Sequence, residues 1–546
     1  VPLLAQWLIG ERHAGERTPT RLWQRFMAFY ERLLLHVLER PALLLLGLVP
    51  LVAVGFFAYH SVGSGFLPKM DQGGFTLDYL SVPGTSIKET NRLLEKVGKI
   101  LAADPYVATW SRRTGLQLGG GLTEANTGDF FVRLKNGARP STSTVMEHIR
   151  EEVVAQVPGL DVDVSQLLED MIGDLTSAPQ PIVVKLFSDN VGQLDAAAKK
   201  VAGQLRKVSG VVSVRDGINP AGDALEVHVD PVKAALLGLD PASVAAQVAT
   251  AVAGTVAANL PEGPKMVAVR VWVPPARRAE IQQLEALPIQ NATGQMFPLS
   301  RVASITEQTG QPEIDYENLK RMVAVTARIS GRSLGATAND VKQVLARQNE
   351  LPPGMYYELG GLYQQQQIAF RGLTIVLIAA IALVFTLLLF LYESFRAAIV
   401  VLVQPLLAIC AVFIGLWVTG IELDISSMMG MTMIVGIVTE LAIFFFSELA
   451  EAEANADSAN PPPLRTLLVE AGHNRMRAIL MSAIAMILTL TPLALAIGRG
   501  SQMQQPLAVA IISGMLAAPP LVLVVMPVLY GRLHPHHPPQ HAIQSP

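Results

Sequence analysis

Apolar residues fall into long runs near both ends of the chain and into short runs in its middle. Five long runs approach or exceed the roughly 20 residues that a helix needs to cross a bilayer. They are residues 41–62, 373–392, 397–419, 428–449 and 478–497. A sixth run, 507–530, contains Pro519 and Pro520, which membrane helices tolerate where neighbours satisfy the freed backbone groups. The pattern predicts one membrane span near the start of the chain and five after about residue 372.

Residues 70–365 alternate strand-like runs with helical periodicity. "GFTLDYLSVPG" and "DFFVRLKN" have the β-branched and aromatic residues of strands, whereas "SIKETNRLLEKVGKILAA" and "TSTVMEHIREEVVAQV" have helical spacing. The order is strand, helix, strand, strand, helix, strand, ending near "GLDVDVSQ". A second round starts at "QPIVVKLFS", includes "ALEVHVD" and resumes at "RMVAVTARIS" after an insertion at 254–311. The pattern predicts an α+β region of two split βαβ units, the second interrupted by the insertion.

Arginine is distributed unequally between the two sides of the predicted spans. In an alternating topology, one side receives Arg12, Arg17, Arg21, Arg25, Arg32, Arg40, Arg396, Arg465, Arg475, Arg477 and Arg532. The short loops on the other side hold only Arg499. By the positive-inside rule the arginine-rich side is cytoplasmic, so we expect the α+β region to be extracytoplasmic.

Composition narrows the function classes. The chain is 51% hydrophobic and 16% charged, with a net charge of −3, which fits membrane spans plus a soluble region and argues against a nucleic-acid partner. The single cysteine, Cys410, lies in an apolar run, so no disulfide framework is expected. No HExxH motif, nucleophile elbow or phosphate loop occurs. We therefore expect neither enzyme activity nor a cofactor.

Glu440 lies inside the apolar run "MMGMTMIVGIVTELAIFFFSEL". An ionisable group in a membrane span is costly and persists mainly where it faces the bundle interior or a water path. One interpretation is a structural carboxyl that is hydrogen-bonded to a neighbouring helix. The other is a proton carrier, which loads a proton on one side of the membrane and releases it on the other.

Several stretches resemble the carboxy-terminal half of a resistance–nodulation–division (RND) efflux transporter. They are "GSGFLPKMDQGGF", "SVPGTSIKETNRLLEKV", "LYESFRAAIVVLVQPLLAI", "EAGHNRMRAILMSAIAMILTLTPLAL" and "QQPLAVAIISGMLAAPPLVLVVMPVLY". The resemblance implies a multi-pass protein of the bacterial inner membrane with a large periplasmic porter region, whose own amino-terminal half lies outside this chain. It also implies a homotrimer driven by proton entry, working with a periplasmic membrane-fusion adaptor and an outer-membrane channel.

On this resemblance the chain divides into seven parts. They are 1–40, the end of a span plus a cytoplasmic amphipathic segment; 41–62, a transmembrane helix; 63–175, a first porter subdomain; 176–253 with 312–365, a second porter subdomain; 254–311, a docking insertion; 372–530, five transmembrane helices; and 531–546, a cytoplasmic tail. Both porter subdomains are expected to be ferredoxin-like.

The resemblance also implies a proton relay of Glu440, Ser482 and Arg475. Multidrug members of the family usually have Lys-Asn in "GLxxKNAI", whereas this chain has Glu440 in the matching "GIVTELAI". A glutamate at this position resembles the pattern of the copper/silver exporters. Arg475 and Ser482 match the Arg and Thr of the family's "RxRPILMT". Arg475 is equally consistent with a positive-inside anchor.

The substrate is open between two classes. Met171 falls near one of the three methionine ligands of copper/silver exporters and is a weak candidate for metal binding, because the other two methionines have no clear match. Organic or amphipathic substrates therefore rank somewhat ahead of metal ions, and a copper/silver-like exporter is the alternative. An alternative from another functional class is a membrane-anchored periplasmic binding or scaffold protein that transports nothing. This alternative leaves Glu440 unexplained.

Overall fold

The computed structural model describes residues 21–115, 125–176, 180–218, 222–308, 314–347, 352–455, 462–498 and 500–533. In these residues a bundle of long helices lies beside an α/β region of three units. The predicted end of a span before residue 21 and the tail from residue 534 lie outside the described residues.

From residue 21 onward, two helices precede the α/β region: α1 (Arg21–Glu39) and α2 (Ala42–Ser61). α1 is amphipathic, and its side chains Tyr30 and Leu34 are buried in the core of the bundle. The Tyr30 hydroxyl donates a hydrogen bond of 3.0 Å to the carbonyl oxygen of Leu523, which ties α1 to a π-helical turn (Leu521–Val525) near the end of the bundle.

The first α/β unit is built on four antiparallel strands. Its elements are β1 (Gly74–Ser81), α3 (Ile87–Ala103), β2 (Val107–Thr114), β3 (Thr127–Leu134), α4 (Thr142–Gln156), β4 (Leu160–Gln166) and α5 (Leu167–Thr176). The strands lie in the order β2-β3-β1-β4. Phe75, Leu77 and Tyr79 alternate along β1 and are buried in one core with the apolar side chains of α3 and α4. The residues between them, such as Asp78, therefore point to the opposite face of the sheet.

The second unit is divided in sequence by the third. Its first part is β5 (Ile182–Phe187), α6 (Val191–Leu205) and β6 (Val211–Arg215). The third unit is β7 (Ala224–Val229), α7 (Pro231–Leu236), α8 (Pro241–Val252), β8 (Thr255–Glu262), β9 (Lys265–Val271), α9 (Ile281–Glu285), β10 (Pro288–Gln290), β11 (Met296–Pro298) and β12 (Ala303–Gln308). The second unit then resumes with β13 (Asp315–Glu317), β14 (Lys320–Ile329), α10 (Leu334–Arg347) and β15 (Tyr356–Gly360). Its sheet has the order β13-β14-β5-β15, and β6 also pairs with β14.

The third unit begins earlier than the sequence predicted. β7 pairs with β12 rather than with the sheet of the second unit. Val244 of α8 is buried in the same core as Ile289 and Val302. The insertion therefore starts at Ala224, and the predicted boundary at residue 254 is wrong, because "ALEVHVD" finds its partner strand at the far end of the insertion.

The bundle continues after β15. Its helices are α11 (Leu362–Tyr392), α12 (Phe395–Thr419), α13 (Ile425–Ala454), α14 (Leu464–Ala494), α15 (Gln505–Pro520) and α16 (Met526–Leu533), with a π-helical turn (Leu521–Val525) between the last two. Within the described residues, five helices are long and apolar enough to cross a membrane, counting Gln505–Leu533 as one. α2 is a further apolar helix and packs on α12 through edge-on contacts of Phe57 with Trp417.

A short extended segment joins the bundle to the second unit. The backbone N–H of Gly65 donates to the carbonyl of Leu423 over 3.0 Å, and the N–H of Leu423 donates to the carbonyl of Gly63 over 2.8 Å. The N–H of Gly335 at the start of α10 donates to the carbonyl of Ser64 over 2.9 Å. The end of α13 that lies next to the α/β region is thus fixed to it by backbone hydrogen bonds.

Candidate functional site

Glu440 lies in the middle of α13, on a face that the other described residues leave uncovered. A capping box of Asp424 and Ser427 starts the helix, so Glu440 lies roughly 22 Å along it at 1.5 Å per residue. Met433, Gly436 and Glu440 follow one another at helical spacing and are exposed. We call these three residues the Glu440 face. Among the described residues, no hydrogen bond or ion pair reaches the Glu440 carboxyl.

The structure does not bring the predicted relay residues together. Ser482 is exposed on α14. Arg475, on the same helix, forms an ion pair with Glu448, with Nε 2.6 Å from Oε2. Asn474 donates from Nδ2 to Glu448 Oε1 over 2.9 Å. Arg475 is therefore paired with a residue of α13 that lies about two turns after Glu440. The relay of Glu440, Ser482 and Arg475 stays a prediction.

Met171 lies on α5 at the edge of the first unit, and 51% of its surface is exposed. An exposed thioether has no enclosure that would exclude water from a bound soft metal ion. The structure therefore gives this weak candidate no support.

A group of acidic side chains that the sequence analysis did not single out lies on the polar face of the first sheet. Asp78 on β1 is directly opposite Asp129 on β3 and directly opposite Asp163 on β4. Residues directly opposite in antiparallel strands have Cβ atoms about 5 Å apart. The three aspartates, here named the carboxylate row, thus cross three neighbouring strands side by side.

Two arginines hold the ends of the carboxylate row. Arg113 on β2 pairs with Asp129, with Nη2 2.6 Å from Oδ2. Arg328 on β14 pairs with Asp163 and lies 3.2 Å from Glu169. Asp78, in the centre, has no hydrogen bond or ion pair within the described part of the chain. The row therefore has a cation at each end and an unpaired carboxyl in the middle.

Enclosure and like charges change the titration of this central carboxyl. Burial raises the pKa of Asp78 to about 8, with further raising by Asp170 and Asp163 and an opposing effect of Arg328. Burial also raises the pKa of Glu169. Asp78 therefore carries a proton at neutral pH in the folded chain, which removes the repulsion that three adjacent carboxylates would otherwise have.

The row is not a finished metal site as it stands. Within the described residues, no group of three or more His, Cys, Asp or Glu side chains is arranged to hold a metal ion. Asp129 and Asp163 point their oxygens at arginines instead. A cation would have to displace the proton of Asp78 and at least one guanidinium to be bound by two carboxylates of the row.

Comparisons with known proteins match almost the whole chain. The model of the AcrB/AcrD/AcrF family matches residues 1–534. The cobalt-zinc-cadmium resistance protein CzcA of Cupriavidus metallidurans is 28% identical, over 98% of this chain and 51% of that protein. The cation efflux system protein CusA of Escherichia coli is 25% identical, over 98% of this chain and 52% of that protein.

Solved structures agree on the fold. A crystal structure of a heavy metal efflux pump matches with a TM-score of 0.81 at 24% identity, over 94% of this chain and 53% of that chain. This chain spans about half the length of the curated relatives that it matches. The family match covers the helical bundle and all three α/β units, and so this chain belongs to the AcrB/AcrD/AcrF family of RND efflux permeases.

Proposed function

We propose that this chain is the carboxy-terminal half of a proton-driven RND exporter of the bacterial inner membrane. In this proposal the first two α/β units are ferredoxin-like porter subdomains in the periplasm, and the third is the docking insertion. The complete protein works as a homotrimer with a periplasmic adaptor and an outer-membrane channel. The proposal is supported by the family match and, among the described residues, by five helices that are long and apolar enough to cross a membrane and lie beside an α/β region. Neither enzyme activity nor a cofactor is part of it.

The substrate that we propose is a divalent metal cation. The observation that carries this choice is the carboxylate row, in which the unpaired, enclosed Asp78 lies directly between Asp129 and Asp163. Carboxylate oxygens bind divalent cations, including zinc at about 2.0–2.2 Å. Two of the matching relatives are named as a cobalt-zinc-cadmium resistance protein and a cation efflux protein. The sequence argument for organic substrates rested on the absence of a complete set of methionine ligands. That argument does not apply to a metal ion bound by carboxylates, which are a different set of ligands.

Proton movement is assigned to the Glu440 face. A carboxyl near the middle of a span is retained mainly where it faces other helices or a water path. The part of the chain that the structure describes leaves this face uncovered, and we propose that helices of the amino-terminal half cover it. In the assembled transporter, Ser482 and Arg475 then contribute to proton movement. Arg475 does so either after release from Glu448 or from the cytoplasmic end of the proton path.

The test is transport by the full-length protein in proteoliposomes, with Zn²⁺ movement followed by a fluorescent indicator under an imposed pH gradient. We expect the wild type and the control Asp189→Asn, an exposed aspartate outside the row, to move Zn²⁺. Asp78→Asn should lower the rate about tenfold or more, since even supporting residues of metal sites contribute 10–100-fold. An organic dye is assayed in parallel. Movement of the dye without Zn²⁺ would establish the organic class, and movement of neither would favour the scaffold interpretation.

A further inference from the structure

A glutamine in the loop between α14 and α15 contacts the segment that leads into the first α/β unit. Gln502 lies in a short 3₁₀ turn, Ser501–Met503, here named the Gln502 turn. Its Oε1 accepts a hydrogen bond of 2.6 Å from the backbone N–H of Asp71. Asp71 lies just before β1, which begins at Gly74. This hydrogen bond therefore joins a loop of the helical bundle to the start of the first unit.

Asp71 is held firmly by the first unit through its carboxylate. It accepts from Nη1 and Nη2 of Arg139 over 3.0 and 2.6 Å, and from the hydroxyl of Thr142, the first residue of α4, over 2.6 Å. Burial acts to raise the pKa of Asp71, but hydrogen bonds from Arg139, Thr142 and the Gly73 N–H outweigh burial and lower this pKa to about 2. Asp71 therefore stays ionised at neutral and mildly acidic pH, and a displacement of its backbone is passed on to α4.

On its other side, the Gln502 turn is linked to the helix that carries Glu440. The hydroxyl of Ser426, in the first turn of α13, donates a hydrogen bond of 3.2 Å to the carbonyl oxygen of Met503. Two hydrogen bonds, one on each side of the turn, thus lead from α13 to the first unit. A shift of α13 along or around its axis reaches Asp71 by this route.

The second unit is joined to α13 in a different way. The segment around Ser64 makes backbone hydrogen bonds both with Leu423, just before α13, and with Gly335 of α10. Gln502, by contrast, reaches Asp71 with a flexible side chain and one neutral hydrogen bond, which makes only a modest net contribution to stability. The connection of α13 to the first unit is therefore the one that is more easily broken and formed again.

An open cavity beside this junction gives the Gln502 turn room to move. Its volume is about 820 Å³, and its wall includes Gly498, Gly500 and Gln502 of the loop together with Arg133 and Lys135 of the first unit. Gly500, at the start of the turn, has a φ of +79°, a conformation that glycine adopts without strain. Because close-packed side chains resist displacement, a cavity at this place allows the turn to shift at low cost.

We propose that the Gln502 turn couples the membrane helices to the first α/β unit, with Gln502 as the positioning residue that passes a movement of α13 on to Asp71 and α4. The inference rests on the proposed function, because it requires α13 to move when Glu440 gains or loses a proton. It adds the route by which that movement reaches the first unit. Cutting the route at Gln502 should free the first unit from α13 and leave the second unit joined to it.

The first test is hydrogen–deuterium exchange of the full-length transporter at pH 8, with Glu440→Gln representing the uncharged carboxyl. We expect Glu440→Gln to change the exchange rate of the peptide that contains Asp71 by about twofold or more, because the Asp71 N–H is a donor in the route. In a Gln502→Ala background this response to Glu440→Gln should vanish. The peptide that contains Gly335 should respond to Glu440→Gln equally in both backgrounds.

Three outcomes of the exchange test would overturn the inference. If the Asp71 peptide did not respond to Glu440→Gln, the two places would not be coupled. A response that persisted with Gln502→Ala would show that it travels by another route. Loss of the response at both peptides would show a general change in α13 rather than a route through Gln502.

The second test is transport in proteoliposomes, with Zn²⁺, an organic dye and proton entry followed in parallel. Gln502→Ala should lower export about threefold or more and raise the number of protons that enter per substrate exported, because proton movement in the helices is no longer passed to the first unit. A variant that was merely misfolded would lose export and proton entry together, which would count against the inference.

Two further variants serve as controls in the transport test. Gln502→Glu keeps the acceptor oxygen and meets the cations Arg133 and Lys135 of the cavity wall, so export should stay within about twofold of the wild type. Gln504→Ala removes an exposed glutamine of the same loop and should behave likewise. Normal export by Gln502→Ala, or equal losses in all three variants, would overturn the inference. If the wild type moved neither Zn²⁺ nor the dye, the proposed function would fail, and the exchange test would decide on the coupling alone.

Discussion

The carboxylate row and the Glu440 face hold their acidic groups in opposite ways. Asp129 and Asp163 are paired with arginines of this chain, and Asp78 is enclosed between them. Within the described residues, Glu440 lies on an uncovered helix face and has no partner. Both positions are costly for a charge, one because of burial in protein and the other because of burial in lipid.

The two sites differ in how far the described residues supply partners for their carboxyl groups. The row is assembled by strand pairing within the first unit, and Arg113 and Arg328 pair with its outer carboxylates. Nothing in the described residues offsets the cost of the Glu440 carboxyl, and we propose that helices of the amino-terminal half cover its face. We therefore expect cation binding to be a property of this chain and proton coupling to be a property of the complete transporter.

The largest effect is expected from Glu440→Gln in the complete transporter. Glutamine keeps the shape and hydrogen-bonding capacity of the side chain but cannot carry a proton, so Zn²⁺ export driven by a pH gradient should fall to background while Zn²⁺ binding stays at the wild-type level. The control is Glu451→Gln, an exposed carboxyl of the same helix, which should export normally. Wild-type export by Glu440→Gln would make that carboxyl structural.

A smaller effect is expected on the pH dependence of stability. Burial and neighbouring acids raise the pKa of Asp78 from 3.8 to about 8. Protonation of Asp78 therefore stabilises the folded state relative to the unfolded state. This stabilisation is fully present below about pH 4 and is lost as the pH rises to about 8. The free energy of unfolding should fall in this window by up to about 1.4 kcal/mol per pH unit.

Asp78→Asn removes this titration and provides the comparison. Its melting temperature, measured between pH 4 and pH 9, should exceed that of the wild type by a margin that grows with pH up to about 8. Asp189→Asn, on an exposed loop, should follow the wild type. Melting curves of Asp78→Asn that run parallel to the wild type at every pH would show that Asp78 ionises normally.

The smallest effect is expected from Met171→Leu. Because Met171 is exposed on α5 and lies outside the carboxylate row, the variant should leave the metal tolerance conferred by the full-length pump within about twofold of the wild type, a change of less than about 0.5 kcal/mol. Tolerance to copper or silver and to zinc is scored separately. A large loss of copper or silver tolerance alone would favour the methionine-based alternative.

Much of the first α/β unit could be predicted from the sequence, because its periodicity is local. "GFTLDYLS" and "LDVDVSQ" became β1 and β4, and the serine before "IKET" caps α3 through a hydrogen bond from the Glu89 N–H. The membrane helices were predicted for the same reason, since length and hydropathy are properties of one segment.

The carboxylate row was missed because it depends on register between strands. Asp78, Asp129 and Asp163 each occupy the polar position of an alternating strand, a signal that is visible in "FTLDYLS", "GDFFVRL" and "LDVDVSQ". Only the pairing of Asp78 with both neighbours makes them one site. The boundary at 254 was wrong for a related reason, because the partner of β7 is β12, distant in sequence. The carboxylate row and the start of the insertion both depend on pairing between strands that are distant in sequence.

The most direct measurement is Zn²⁺ binding by this chain alone in detergent. Its four tail histidines, His534, His536, His537 and His541, are replaced by alanine so that the tail adds no signal. If the carboxylate row is complete in the chain, one Zn²⁺ should bind per molecule, with an affinity that rises as the pH approaches 8, and Asp78→Asn should lower that affinity about tenfold or more. Equal binding by the wild type and Asp78→Asn, or no binding by either, would contradict the account.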